Sequence, residues 1–181
     1  LDITKVLNNS SLYPQEGKNQ HAFCTDIDTK GDVRVLCNIT ENESWMSTML
    51  HEFGHAVYML GHDAANLPFA LRNSAHIFTT EAIAMMMERC SSNPLWLKEF
   101  RGISEKESQE IEENSFKQSR LAKLVFSRWV QVVYRFEKEM YANPEQDLNA
   151  LWWSLVERYQ LLKKPEGRDA PDYATKIHIA L

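Results

Sequence analysis

Residues 41–61, ENESWMSTMLHEFGHAVYMLG, decide the fold of this chain. Apolar residues recur through the stretch at helical spacing, which is the pattern of a helix with one buried face. The pattern predicts a helix over about residues 42–60, called here the motif helix. Asn42 or Thr40 can cap its start, and Gly61 follows its last periodic position as a stop signal.

The motif helix contains the sequence His51-Glu52-Phe53-Gly54-His55. Histidines four residues apart share a helix face, so both imidazoles point the same way. Two neutral imidazole nitrogens on one face form half of a tetrahedral zinc site. Glu52 lies beside them, where a carboxylate can take a proton from the attacking water. The alternative interpretation is two unrelated histidines in an amphipathic helix.

A catalytic zinc site needs a third protein ligand and an open position. Glu81 is the best candidate, because it lies near the start of the next strongly helical stretch, predicted at about residues 78–91. Two other carboxylates compete with it. Asp63 lies too close in the loop after the motif helix, and Glu88 is interpreted as a surface residue beside Arg89.

A β-hairpin is predicted over about residues 20–39, directly before the motif helix. Two β-rich runs flank the turn sequence Asp28-Thr29-Lys30-Gly31. Cys24 and Cys37 could face each other across this hairpin, and two buried free thiols are an equal alternative. The edge of such a hairpin offers free backbone groups, on which extended peptides are commonly held.

The remainder of the chain, residues 94–181, is predicted to be mainly helical. The longest helix is expected from Ser104 to Tyr141, and a further one from Pro144 to Leu162. The predicted fold is therefore mostly α, with one hairpin beside the motif helix.

Composition excludes several classes of protein. The 181 residues suffice for one domain with a real core. A net charge of −5 argues against a nucleic-acid or anionic-membrane surface. No apolar run approaches the length of a membrane span, and the spacing of the 3 cysteines matches no cysteine zinc module.

Several blocks of the sequence, in this order, resemble the peptidyl-dipeptidase A family, the angiotensin-converting-enzyme-like zinc metallopeptidases. The blocks are the hairpin from His21 to Cys37, LHEFGHAVY (50–58), LPFALR (67–72), TEAI (80–83), WWSLVERYQ (152–160) and KIHI (176–179). Phe53 within the motif is more similar to thimet-type oligopeptidases. The resemblance covers most of residues 20–181 in register. It implies that residues 1–181 form part of the catalytic domain of a zincin-like helical metallopeptidase.

The resemblance also implies roles for individual residues. Zinc would be held by His51, His55 and Glu81. Glu52 would act as the general base and then as the acid, while His178 would hydrogen-bond the scissile carbonyl. In the resembled family, hydrolysis releases dipeptides from the C-termini of short peptides.

Substrate contacts follow from the same resemblance. His21 and Ala22 would lie along the substrate backbone, and Lys176 would meet its C-terminal carboxylate. Other interpretations remain open: an oligoendopeptidase or carboxypeptidase with the same zinc site, a non-catalytic zinc-stabilised scaffold, or a helical interaction domain with incidental histidines.

The sequence departs from the family pattern at two positions. Met85 replaces the carboxylate that supports a zinc-binding histidine one turn after the glutamate ligand. Val156 replaces an arginine that binds chloride. The chain also lacks the family's large N-terminal helical half and ends before its active-site tyrosines, so it is expected to be a C-terminal catalytic portion. Association with that missing part or with a second copy is expected.

Overall fold

A computed structural model describes residues 1–62 and 64–175. The chain divides into two compact units, Leu1–Glu112 and Glu113–Leu181. The structure is mostly helical, as predicted. Its helices are α1 (Thr4–Asn9), α2 (Glu43–Gly61), α3 (Ile77–Glu88), α4 (Pro94–Arg101), α5 (Glu105–Ala142) and α6 (Leu148–Gln160), and its strands are β1 (Phe23–Asp26) and β2 (Val33–Leu36).

The core of the first unit lies between the hairpin and α2. Alternate residues of a strand face the same side of the sheet, and Val33, Val35 and Cys37 are all buried on one face. They form a cluster with Val6 of α1 and Ala56 of α2. The predicted hairpin beside the motif helix is therefore confirmed, and its apolar face holds α2 in place.

The hairpin register separates the two cysteines that were candidates for cross-strand partners. Cys24 pairs with Val35, so Cys37 lies diagonally from it rather than opposite. Both cysteines are free thiols. The expectation that they face each other across the hairpin is wrong, and the free-thiol alternative describes them.

The bounds of α2 and α3 are set by side-chain caps. Asn42 caps α2, where its Oδ1 accepts a hydrogen bond from the amide of Trp45 at 2.8 Å. His76 caps α3, where its Nδ1 accepts from the amide of Phe78 at 3.0 Å. Helix α3 was predicted at about residues 78–91. It begins one residue earlier, at Ile77, and ends at Glu88, after which residues 89–92 form a 3₁₀ turn.

The second unit is built on the packing of α5 against α6. Val132 and Phe136 are four residues apart on α5, and Trp152 and Val156 are four apart on α6. The rings of Phe136 and Trp152 meet edge to face with centroids 5.2 Å apart. The predicted start of the last helix at Pro144 is wrong, because Asp147 caps α6 by accepting from the amide of Ala150.

Within the described part of the chain, no helix combines the length and the apolar character that crossing a membrane requires.

Candidate metal centre

Three candidate ligands from two helices converge. His51 and His55 lie on one face of α2, and Glu81 lies in the second turn of α3. The Nε2 atom of His51 is 3.4 Å from one carboxylate oxygen of Glu81, and the Nε2 atom of His55 is 3.4 Å from the other. Ligand atoms of all three residues lie within 4.8 Å of one another. This group can hold a metal ion.

The spacing of these atoms fits zinc. Bonds of about 2.0–2.1 Å at tetrahedral angles place neighbouring ligand atoms about 3.4 Å apart. The two contacts between histidine nitrogen and Glu81 oxygen have this length. Two imidazoles and one carboxylate are also a donor set found in zinc hydrolases, in which a fourth position stays open.

The other nitrogen of His51 has a partner that the sequence did not indicate. Its Nδ1 atom lies 3.0 Å from Glu88 Oε2. When Nδ1–H donates to this carboxylate, the lone pair of Nε2 is left toward Glu81. The side chain of Glu88 is 41% exposed, as expected of a surface residue beside Arg89, but it also contacts a candidate metal ligand, which the sequence did not indicate.

Charges and burial act differently on the two histidines. The hydrogen bond that His51 donates to Glu88 raises the pKa of His51 against the opposing effect of burial. Burial lowers the pKa of His55, and the Glu81 carboxylate partly offsets that effect. A lowered pKa favours the neutral imidazole, which is the form that binds a metal.

Glu52 is buried on the same helix, with 8% of its surface exposed. Burial raises the pKa of its carboxyl, His51 opposes the rise, and Glu81 adds to it. Its carboxyl therefore lies away from bulk water, in the residue directly after the candidate ligand His51.

The three candidate ligands differ in exposure. The side chain of Glu81 is 44% exposed, whereas those of His51 and His55 are 22% and 12% exposed. Solvent therefore reaches the centre mainly at Glu81.

A cavity of about 200 Å³ is lined by residues of β1, of the C-terminal part of α2 and of the segment that leads into α3, and by none of the three candidate ligands. Its lining includes Thr80, which precedes Glu81, and Tyr58 and His62, which follow His55 by three and seven residues. Arg72 contributes from the loop before α3. None of these residues was assigned a role from the sequence. Their helical spacing from His55 is the signal that places Tyr58 and His62 on its face.

Of the remaining predicted site residues, the structure describes His21 and Ala22. His21 is exposed and Ala22 half-buried, and both directly precede β1. The amide of His21 donates to Asn19 Oδ1. Lys176 and His178 lie outside the described residues.

The sequence of this chain matches a known family of proteins. The Peptidase M2 family model, described as angiotensin-converting enzyme, matches residues 8–181. Angiotensin-converting enzyme from Oryctolagus cuniculus is 28% identical over 173 residues, and that from Sus scrofa is 27% identical over the same length. Each match covers 92% of this chain, which spans 13% of the length of these curated relatives.

Solved structures share the fold. A protein described as oligoendopeptidase F from Bacillus anthracis str. Ames superposes with a TM-score of 0.64 at 20% identity, over 84% of this chain and 27% of that one. PZ peptidase A with inhibitor 2 superposes with a TM-score of 0.68 at 20% identity, over 92% and 28%. The resemblance found in the sequence is confirmed. Because the family model covers nearly the whole length, the chain belongs to Peptidase M2, the family of angiotensin-converting enzyme.

Proposed function

We propose that this chain carries the zinc centre of a peptidase that hydrolyses short peptides and releases dipeptides from their C-termini. The observation that carries the proposal is the convergence of His51, His55 and Glu81 at distances that suit a tetrahedral ion. Membership of the angiotensin-converting enzyme family supports peptides as substrates. Because the chain spans 13% of its relatives, the activity is proposed for the whole protein.

Each residue of the centre has a defined part in this mechanism. When bound, zinc supplies Lewis-acid polarisation of the scissile carbonyl and lowers the pKa of a water molecule. His51, His55 and Glu81 hold the ion, and Glu88 fixes the ring of His51. As the water oxygen attacks the carbonyl carbon, Glu52 takes the water's proton and then donates it to the departing amine nitrogen.

The hairpin supplies a surface for the substrate backbone. Ser11 bridges to β2, through its amide to Val35 and through its carbonyl to the amide of Cys37. Among the described residues, no strand pairs with the outer edge of β1. An extended peptide can add to that edge next to His21 and Ala22, which supports their proposed role along the substrate.

The remaining roles decide where the peptide is cut. Lys176 is proposed to bind the substrate's C-terminal carboxylate, which would limit cleavage to the second peptide bond from the end. His178 is proposed to stabilise the oxyanion. The cavity lined by Tyr58, His62 and Arg72 can take a substrate side chain.

Zinc content and turnover of two variants test the centre. Glu81→Gln should lose most of its zinc on dialysis, as measured by inductively coupled plasma mass spectrometry. Glu52→Gln should keep zinc and lose hydrolysis of a quenched peptide. Full zinc occupancy in Glu81→Gln would show that the third ligand is another residue.

Product analysis tests the mode of cleavage. The whole protein is given matched peptides with a free or an amidated C-terminus. Dipeptide release only from the free form supports the proposal. Equal internal cleavage of both forms supports an oligoendopeptidase instead, the activity after which one of the fold neighbours is named. Zinc binding without cleavage of either peptide supports a non-catalytic scaffold.

A further inference from the structure

Gly54, between the two histidines of the motif, lies at a close approach of α2 to α3. It is buried, as is Ala84 of α3, which has no exposed surface. A Cβ atom at position 54 would lie 2.7 Å from the Cα of Ala84 and 3.3 Å from its backbone nitrogen. It would also lie 3.3 Å from Cβ of Met87. No side chain, however small, fits at position 54 while the helices keep this separation.

The contact of Gly54 with Ala84 lies between two others that join α2 to α3 at the metal centre, those of the histidines with Glu81 and with Glu88. On α3, Ala84 follows Glu81 by three residues and precedes Glu88 by four, so all three share a face. From this face of α3, Glu81 contacts both histidines of α2, and Glu88 contacts His51. The separation of the two helices at Gly54 therefore sets how far the histidine nitrogens lie from both carboxylates.

We propose that Gly54 is a positioning residue of the metal centre: its missing side chain fixes the distance between α2 and α3 at which His51, His55 and Glu81 reach one ion. The inference rests on the proposed zinc centre and adds the device that sets its dimensions. Gly54 itself touches neither the ion nor the substrate.

The required displacement is large on the scale of a metal site. Carbon atoms of packed groups prefer separations of about 3.5–4.0 Å, so a Cβ at position 54 forces the helices apart by about 1 Å. The obstructing atoms belong mainly to the backbone of α3, which cannot turn aside as a side chain can. Ligand distances in metal sites are held within about 0.2 Å, so the same displacement at Glu81 takes it out of bonding range.

The test compares Gly54→Ala with two matched variants of α2. Gly61→Ala makes the same chemical change where a Cβ meets nothing within 4 Å. Ala56→Val overfills the core between α2 and the hairpin, at a residue that is fully buried in that cluster. It reproduces a packing defect without separating α2 from α3.

Three measurements are made on each protein: zinc affinity by competition with a chelator, the visible absorption spectrum of bound Co²⁺, and helix content by circular dichroism. Gly54→Ala should keep its helix content, bind zinc roughly tenfold to a hundredfold more weakly, and show an altered Co²⁺ spectrum. Gly61→Ala and Ala56→Val should keep the wild-type affinity and spectrum.

The outcomes separate this inference from the proposed function. If the wild-type chain binds zinc and Gly54→Ala binds it equally tightly with the same Co²⁺ spectrum, the positioning role is overturned while the zinc centre stands. If the wild-type chain binds no zinc, both are overturned. If Gly54→Ala does not fold, Ala84→Ser adds one atom at the fully buried residue of α3 that faces Gly54. Weaker zinc binding by that variant supports the inference, and wild-type binding overturns it.

Discussion

The Nδ1 atom of His51 lies 3.0 Å from the Oε2 atom of Glu88, seven residues beyond Glu81 on α3. The resembled family places its supporting carboxylate one turn after the glutamate ligand, at the position that Met85 occupies here. Seven residues are about two helical turns, so Glu88 returns to the same face as Glu81. A carboxylate thus still supports a histidine of this centre, from a different position on the helix.

Removing this support should weaken metal binding without removing a ligand. We expect Glu88→Ala to lower zinc affinity by roughly 10- to 100-fold, because the His51 ring loses the partner that fixes its tautomer and orientation. Glu88→Gln keeps an acceptor for Nδ1–H and should lose less. Chelator competition measures both, with the exposed Glu99→Ala on α4 as control. Unchanged zinc affinity in Glu88→Ala would show that Glu88 does not orient His51.

The cap of α2 should contribute measurably to stability. Asn42 Oδ1 accepts from the amide of Trp45, which otherwise has no partner within the helix. Asn42→Ala should lower the free energy of unfolding by about 1 kcal/mol, whereas Asn42→Asp should preserve it. Urea unfolding of the metal-free chain, followed by circular dichroism, checks both values. Equal losses in the two variants would mean that the cap is not the cause.

The thiols of half-buried Cys24 and buried Cys37 should react slowly in the folded protein. Burial raises the pKa of Cys24 to about 12 and that of Cys37 to about 11, and the Glu52 carboxylate adds to both shifts. Only the thiolate reacts with iodoacetamide, so the rate at both cysteines should stay low at neutral pH and rise toward these values. Mass spectrometry of the alkylated peptides measures the rate of alkylation at each cysteine, with the urea-unfolded chain as reference. Equal rates in folded and unfolded chains at pH 8 would contradict this.

The same raised pKa values predict the direction of a stability change. The unfolded thiols lose their protons at about pH 9, while the folded ones keep them up to about pH 11–12. The folded state therefore binds more protons in this interval, and these two residues should make the protein less stable as pH rises through it. Replacing both, as Cys24→Ala with Cys37→Ala, should flatten the fall in the free energy of unfolding between pH 9 and 11. An unchanged slope would count against burial as its cause.

The position where the resembled family binds chloride should be inert here. Val156 is 4% exposed and packs in the cluster with Trp152. A buried methyl-bearing side chain offers neither a donor nor a charge to an anion. We expect hydrolysis by the whole protein to be insensitive to chloride at constant ionic strength, as measured by kcat/KM in chloride and in acetate. Chloride stimulation that disappears in Trp152→Phe would contradict this.

The sequence alone determined the parts of this protein that depend on neighbouring residues. The helical period places His51 and His55 on one face of α2 whatever the rest of the chain does, and Asn42 supplies the start of that helix. The turn residues between β1 and β2 likewise specify a hairpin, and four-residue spacing brings Phe136 and Val132 to one side of α5. These features follow from local geometry, so the pattern of the sequence was sufficient to predict them.

Only the tertiary structure decided which carboxylate meets which histidine nitrogen. Sequence position favoured Glu81 as the third ligand, but it offered no reason for Glu88, about 10 Å further along the axis of α3, to meet the other nitrogen of His51. That contact depends on where α3 crosses α2, and the two helices approach closely where Gly54 meets Ala84. The register of the hairpin was decided in the same way, because pairing Cys24 with Val35 rather than Cys37 depends on backbone hydrogen bonds between strands. Contacts between distant segments set both outcomes, and no local pattern encodes them.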